Sequence, residues 1–420
     1  MNGMRTMRTA IYLLVILLSY AAGASHAAMQ HDQHTEDTRG ATACQDAHAL
    51  PSPHCGRAPT ATFVEGVRDS VLYVVFSQNN HVYLSLSTDL GRTYSVPTAI
   101  NTTPEAIYDD GENRPKILVG KDQWIYVSWT HKTPGRYAGE IRFTRSRDGG
   151  ASFEPPRTIN TDNALISHRF DSISQDSKGN LYLVWIDKRA QIKAAAEGQD
   201  YTGAALYYVV SHDQGASFSE NRKLVDHSCE CCRVALAQDA QGKVVAFWRH
   251  SFPGQIRDHA MAYVPETHTS AELFRATEDQ WHLEGCPHHG PDLSIDARNI
   301  AHLAWFTQGS QHQGLIYGQF DLKTRTMSNE QVFDATPGAS RPQVYAIGSD
   351  VYLVWKRFNG EATELLMRRS NDNGNTWSEN QSLAKTQEKS DHPDFVTDKS
   401  RVYVAWQTQA EGYLLLQVSP

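Results

Sequence analysis

Thiols and imidazoles crowd two short stretches of this chain. Cys229-Glu230-Cys231-Cys232-Arg233 carries three cysteines, and Cys286-Pro287-His288-His289-Gly290 adds a fourth beside two histidines. Three chemistries fit. Cys286 can form a disulfide with one of the three, four cysteines allowing three complete pairings. Thiolates with imidazoles suit copper(I) or zinc(II), with Cys229, Cys231, Cys232, Cys286, His288 and His289 as the ligands. A redox-active dithiol is the third, and Arg233 favours the thiolate form of its neighbours. The spacing matches no standard zinc ribbon or finger. His168, His250, His259 and His392 are further imidazoles that can reach the same place. Asp258 can fix the tautomer of His259, or pair with Arg257 instead. Cys44 and Cys55 can form a separate bridge.

A second constellation is basic. Glu112-Asn113-Arg114-Pro115, Ser167-His168-Arg169-Phe170, Cys231-Cys232-Arg233-Val234 and Ser340-Arg341-Pro342 each place an arginine a similar distance before a recurring tryptophan. His288-His289-Gly290-Pro291 and Asp391-His392-Pro393 place histidines there. Planar guanidinium forks suit a carboxylate. Converging guanidiniums repel one another unless acids or an anionic ligand neutralise them. Arg114, Arg169, Arg233, Arg341 and His392 are therefore candidate contacts to a small anion, with pairing to Glu112 or Asp391 as the structural alternative.

The elements that must position these groups repeat. Alternating apolar segments ending in an aromatic lie at Val71–Phe76, Ile125–Trp129, Leu181–Trp185, Val244–Trp248, Ala301–Trp305, Val351–Trp355 and Val402–Trp406. Period-2 alternation of β-branched and aromatic residues reads as strand. Seven units of about four strands each describe an all-β propeller. The last unit lacks an outer strand, which an N-terminal segment can supply. In such a ring the residues just before each first strand crowd one mouth of the channel, so both constellations converge there.

Four copies of Ser-x-Asp-x-Gly-x-(Ser/Thr)-aromatic punctuate the chain, at 87–94, 146–153, 211–218 and 370–377. The Asp accepts amide bonds of its own turn, the Gly supplies a positive φ, and the aromatic returns to the interior. The pattern resembles the Asp-box of the sialidase-like propellers and covers nearly the whole chain after the leader. That family has six blades; seven are expected here, with six as the alternative. The resemblance implies an arginine cluster gripping a substrate carboxylate, as in exo-α-sialidase-type glycoside hydrolysis. It also implies a catalytic acid, for which Asp187 is placed, and a tyrosine nucleophile, for which Tyr201 is placed with Glu197 or Glu112 as its base. The family's Phe/Tyr-Arg-Ile-Pro segment is reduced to Gly56-Arg57-Ala58-Pro59. The family does not carry the cysteine set. Three functions therefore stand open: binding or cleavage of sialic acid or another acidic glycan, non-catalytic binding of copper, or an envelope scaffold.

The bulk properties narrow the setting. The 420 residues carry a formal net charge of −8, which gives nucleic-acid binding no electrostatic support. Arg5 and Arg8 precede the apolar run Ile11–Leu18, and Ser25-His26-Ala27 offers a cleavage site, so residues 1–27 read as a signal peptide. The run is too short to span a bilayer, and no later segment reads as transmembrane. A periplasmic or secreted protein follows, in a compartment that permits disulfides. Residues 28–56 read as a poorly ordered leader bearing His31, His34, His48 and His54, either solvated or a loose metal trap. The propeller is assigned to 57–420.

Overall fold

The computed structural model describes residues 50–65, 70–399 and 401–419. The expected signal peptide, His31, His34, His48 and Cys44 lie outside the described residues. Cys55 is disulfide-bonded.

Seven antiparallel sheets follow one another along the chain, six of four strands and one of three. Blade 1 occupies 57–99, blade 2 116–158, blade 3 168–228, blade 4 235–275, blade 5 292–334, blade 6 339–386 and blade 7 394–417. The fold is a seven-bladed β-propeller, so the alternative of six blades falls. Every alternating segment read from the sequence is the second strand of its blade. Among the described residues no fourth strand pairs with the last strand of blade 7, Gly412–Gln417. His54 of the N-terminal stretch is hydrogen-bonded to that blade instead. The Gln407 amide donates to the His54 carbonyl (3.0 Å), and the Tyr413 N–H donates to His54 Nδ1 (3.3 Å).

The recurring tryptophans explain the ring. Trp129, Trp185, Trp248, Trp305, Trp355 and Trp406 are all buried, each in a cluster shared with the preceding blade. Leu72 and Val74 of blade 1 close the circle against Val396, Tyr403 and Ala405 of blade 7. A buried indole N–H needs an acceptor. Trp129 finds Glu105, Trp185 Asp187, Trp305 Asp279 and Trp355 Asp334, all at 2.7–2.9 Å. Trp406 donates to the Asp391 carbonyl (3.1 Å). Among the described residues Trp248, in blade 4, has no acceptor.

The four Asp-boxes sit between the third and fourth strands of blades 1, 2, 3 and 6. In the first, Asp89 accepts from the Thr93 amide (2.9 Å) and hydroxyl (2.6 Å), while Ser87 Oγ accepts from the Gly91 amide (2.8 Å). Gly91 has φ +81°, which the turn demands. Hydroxyl and amide donors hold Asp89, Asp148 and Asp372 at about 2. These aspartates are turn caps.

Candidate functional site

The segments leading into the first strands do converge. Glu112, before blade 2, is the hub. Its carboxylate accepts from Arg341 Nη1 of blade 6 (2.9 Å) and from the backbone N–H groups of Arg233 (3.2 Å) and Gly290 (3.4 Å), ahead of blades 4 and 5. Arg233 Nη1 lies at 3.8 Å and His392 Nδ1, ahead of blade 7, at 3.6 Å. Five blades thus meet on one carboxylate. Burial pushes the Glu112 carboxyl up, but Arg233, Arg341 and the amide donors outweigh it and hold it below its ordinary value. Gly290 is required: a Cβ there would collide with the Arg233 side chain and stand 2.9 Å from Glu112 Oε2.

The other arginines of this mouth staple blades together. Arg114 donates to the carbonyls of Gly111 (3.1 Å), Pro59 (3.3 Å) and His392 (2.9 Å) and pairs with Asp391 (3.3 Å). Arg233 donates to the carbonyls of Pro291 (3.0 Å) and Pro342 (2.8 Å). Arg341 has φ +57° in a register-shifted first strand, which turns its side chain toward Glu112. Burial lifts Asp292 to about 7 and brings Lys356 down to about 8. Burial also pushes His392 and His289 well below the usual imidazole range.

Arg169 stands apart from this hub. Its guanidinium lies over Tyr108 (4.1 Å), Phe170 (4.6 Å) and Tyr137 (5.4 Å), and its nearest carboxylate is Asp110 at 4.0 Å. Its Nε has no partner. Tyr137 is half exposed at 51%. The result is a cation on an aromatic wall, with donor capacity to spare.

The three residues proposed for glycoside hydrolysis do not meet. Asp187 is fully buried, accepts from Trp185 and Arg189, and lies 3.8 Å from His168. It belongs to the series of acids that satisfy the ring tryptophans. The chain after Asp187 forms a helix, Arg189–Ala196. Beyond it the Tyr201 hydroxyl donates to Asp226 (2.8 Å) and the ring lies against His227 (4.6 Å). Asp226, which sequence reasoning missed, is the carboxylate that Tyr201 has; burial and this bond push the phenol up. Glu197 faces Lys193 (4.0 Å) instead. Among the described residues no partner of Tyr201 is shared with Glu112.

The sulfurs do meet. Cys231 and Cys286 form a disulfide joining the lead-ins of blades 4 and 5, with 6.3 Å between Cα atoms. Cys229 and Cys232 are buried free thiols with sulfurs 3.0 Å apart. Cys229 Sγ also stands 3.7 Å from Cys286 Sγ and 4.0 Å from Cys231 Sγ. Cys231, Cys286 and His288 offer ligand atoms within 4.8 Å of one another, as do Cys229, Cys231 and Cys232. His289 turns away to stack on Phe306 (4.2 Å). The segment is anchored from both sides. The Cys229 amide donates to the Arg249 carbonyl (2.9 Å), and Glu230 is held by Lys188 (2.6 Å) and Gln191 (3.0 Å). The Cys232 S–H, the Cys231 amide and the cations Arg249 and Arg257 bring Cys229 down to about 7 against its burial. Burial and the Cys229 sulfur push Cys232 up.

Blade 4 beside these sulfurs breaks the pattern of its neighbours. Trp248 Nε1, Arg249 Nε, His250 Nδ1 and His259 Nε2 are buried polar atoms without a partner. Native interiors rarely leave such groups unmet. Asp258 does not orient His259: it pairs with Arg275 and accepts from the Gln280 amide (3.2 Å), while His259 Nδ1 meets Thr277 (3.2 Å). Nor does Arg257 pair with Asp258; it donates to Ser251 Oγ and to the Leu283 carbonyl (3.1 Å).

No family model and no curated protein matches the sequence. Solved structures do resemble it. An ulvan lyase of polysaccharide lyase family 25 aligns over 86% of this chain and 94% of its own, with 11% identity and a TM-score of 0.55. A second polysaccharide lyase aligns over 88% and 90%, at 11% identity and 0.52. A leech intramolecular trans-sialidase covers 86% and 83%, at 11% and 0.48. At these identities the likeness to the two lyases is one of fold alone. Among the described residues no helix is long and apolar enough to cross a membrane.

Proposed function

We propose that this propeller is an exported soft-metal-binding protein, which takes copper(I) or zinc(II) on Cys229, Cys231, Cys232 and Cys286 with His288 at the edge. The observation that carries the reading is the placement of three other sulfurs 3.0, 3.7 and 4.0 Å from Cys229 Sγ, contributed by the lead-ins of two blades. With the Cys231–Cys286 bond reduced, all four become thiol donors around one point. Thiolate sulfur selects copper(I) and zinc(II) over hard ions. Metal binding releases the thiol protons, so affinity rises with pH. The test is anaerobic titration of the reduced protein with copper(I) against a chromogenic chelator, and with zinc(II) against a second one. One equivalent should be withheld by the wild type and surrendered by the C229S/C232S double variant. Equal surrender by both proteins removes the reading.

The arrangement around Arg169 favours a second reading, an acidic saccharide. Arg114, Arg233 and Arg341 are largely occupied by Glu112, Asp391 and backbone carbonyls. Arg169 keeps spare donors and an aromatic wall on which a sugar ring can stack. One of the similar lyases is described as bound to a glucuronic acid–sulfated rhamnose repeat. Sialic acid or another acidic glycan fits the same chemistry. Binding of uronate or sialoside oligosaccharides, and release of dye from a fluorogenic sialoside, compared with R169A, tests it. Identical behaviour of the two proteins rejects it.

A further inference from the structure

We propose that the four clustered cysteines form a two-electron relay, in which the buried Cys229–Cys232 dithiol reduces the Cys231–Cys286 disulfide and, through Cys286, a small-molecule disulfide outside. The inference uses the sulfurs of the metal reading but no metal.

Three features carry it. First, dithiol and disulfide lie side by side: Cys229 Sγ is 3.7 Å from Cys286 Sγ, and Cys232 Sγ is 3.0 Å from Cys229 Sγ. Second, the two pairs differ in access. Cys229, Cys231 and Cys232 are buried at 1%, 7% and 2%, whereas Cys286 is partly exposed beside exposed His288. Third, Cys229 and Cys232 have the Cys-x-x-Cys spacing that closes a small ring, with Cys231 between them pointing to the other bridge.

The chemistry balances without an added reagent. The Cys229 thiolate attacks Cys286 Sγ; the Cys229–Cys286 bond forms, the Cys231–Cys286 bond breaks, and Cys231 leaves as thiolate. Cys232, giving up its proton to Cys231, then attacks Cys229 Sγ and expels Cys286 as thiolate, which takes the proton lost by Cys229. One disulfide is exchanged for another, and the reducing pair has moved from the interior to the surface. Cys286 thiolate can next attack an external disulfide RSSR and expel RS⁻. Cys231 then displaces the second RS⁻, which restores the Cys231–Cys286 bond. The sum is one inner dithiol oxidised and one RSSR reduced to two RSH.

The local sequence makes the test direct. Cleavage after Lys223 and Arg233 releases Cys229, Cys231 and Cys232 on one peptide. That peptide is joined to Cys286 when the outer bridge is present and unjoined when the inner one is. The chelator-treated, metal-free protein is equilibrated with graded mixtures of oxidised and reduced glutathione, quenched in acid, alkylated and mapped by mass. The relay predicts molecules with one disulfide among these four cysteines in which the three-cysteine peptide carries an internal bond and Cys286 is alkylated. It predicts their loss in C229S, and a trapped Cys229–Cys286 link in C232S. Wild-type protein in which every molecule with a single disulfide among these four cysteines joins this peptide to Cys286 overturns the relay, whether or not the serine variants fold. A failed metal titration leaves this result untouched, and the reverse holds equally.

Discussion

Replacing Glu112 by glutamine removes the one carboxylate on which five blades meet. It accepts from Arg341 at 2.9 Å and faces Arg233 Nη1 at 3.8 Å. The variant keeps the side-chain length and one acceptor oxygen, but it leaves two guanidiniums without their counter-ion. Breaking a buried pair by removing one partner costs roughly 3–5 kcal/mol. Arg233 and Arg341 retain 14% and 21% side-chain exposure against 4% for Glu112, so water screens part of that loss. The expected cost is therefore about 2–4 kcal/mol. With an unfolding entropy of about 2.1 cal/mol/K per residue over ~370 residues, this lowers Tm by about 3–5 °C. Thermal and urea unfolding of wild type and E112Q measure it, and the E112Q/R341M pair isolates the coupling. The pH dependence gives an independent check. The Glu112 carboxyl is held below its ordinary value of 4.5, so its contribution is complete above that pH and disappears as the pH falls through the lower folded value. The gap between the proteins should close in acid. An E112Q Tm equal to wild type at pH 7, or a gap that persists unchanged in acid, would refute the hub.

The Asp-box carboxylates held at about 2 contribute stability above their ordinary 3.8 that is lost as pH falls through about 2, so D148N should lower Tm at pH 7 and lose that effect near pH 2. Asp292 has the opposite sign: raised to about 7 by burial, it destabilises the fold once ionised, so stability falls between pH 4 and 7 from this group. D292N should flatten that slope, and an unchanged slope would place the titration elsewhere. Gly290→Ala should cost about 1–3 kcal/mol because its methyl meets the Arg233 side chain, and a neutral result would mean that the mouth is loosely built.

The ring was legible in the chain because its signals are local and repeated. An Asp-box needs only eight consecutive residues, and each buried tryptophan ends an alternation that any reader can count. The mouth was legible in outline, since the segments before the first strands share a place in each repeat; a bridge from Cys286 to one of the three cysteines was among the readings, but its partner, Cys231, was not fixed by adjacency. What escaped depends on three-dimensional partners. Glu112 was read as a base for a tyrosine, yet its neighbours come from residues 233, 290, 341 and 392. Asp226 as the partner of Tyr201, and Asp187 as the acceptor of an indole N–H, rest on side-chain directions that spacing does not fix. The incomplete blade 7 was visible, but how residues 52–56 approach it was not.

The proposed soft-metal site is tested most directly by mass spectrometry of the reduced protein under non-denaturing conditions after one equivalent of copper(I) is added. The wild type should gain a single copper and lose thiol protons, with all four of Cys229, Cys231, Cys232 and Cys286 shielded from alkylation. Apo protein, or copper-bearing protein whose four thiols alkylate as fast as before, would contradict the account.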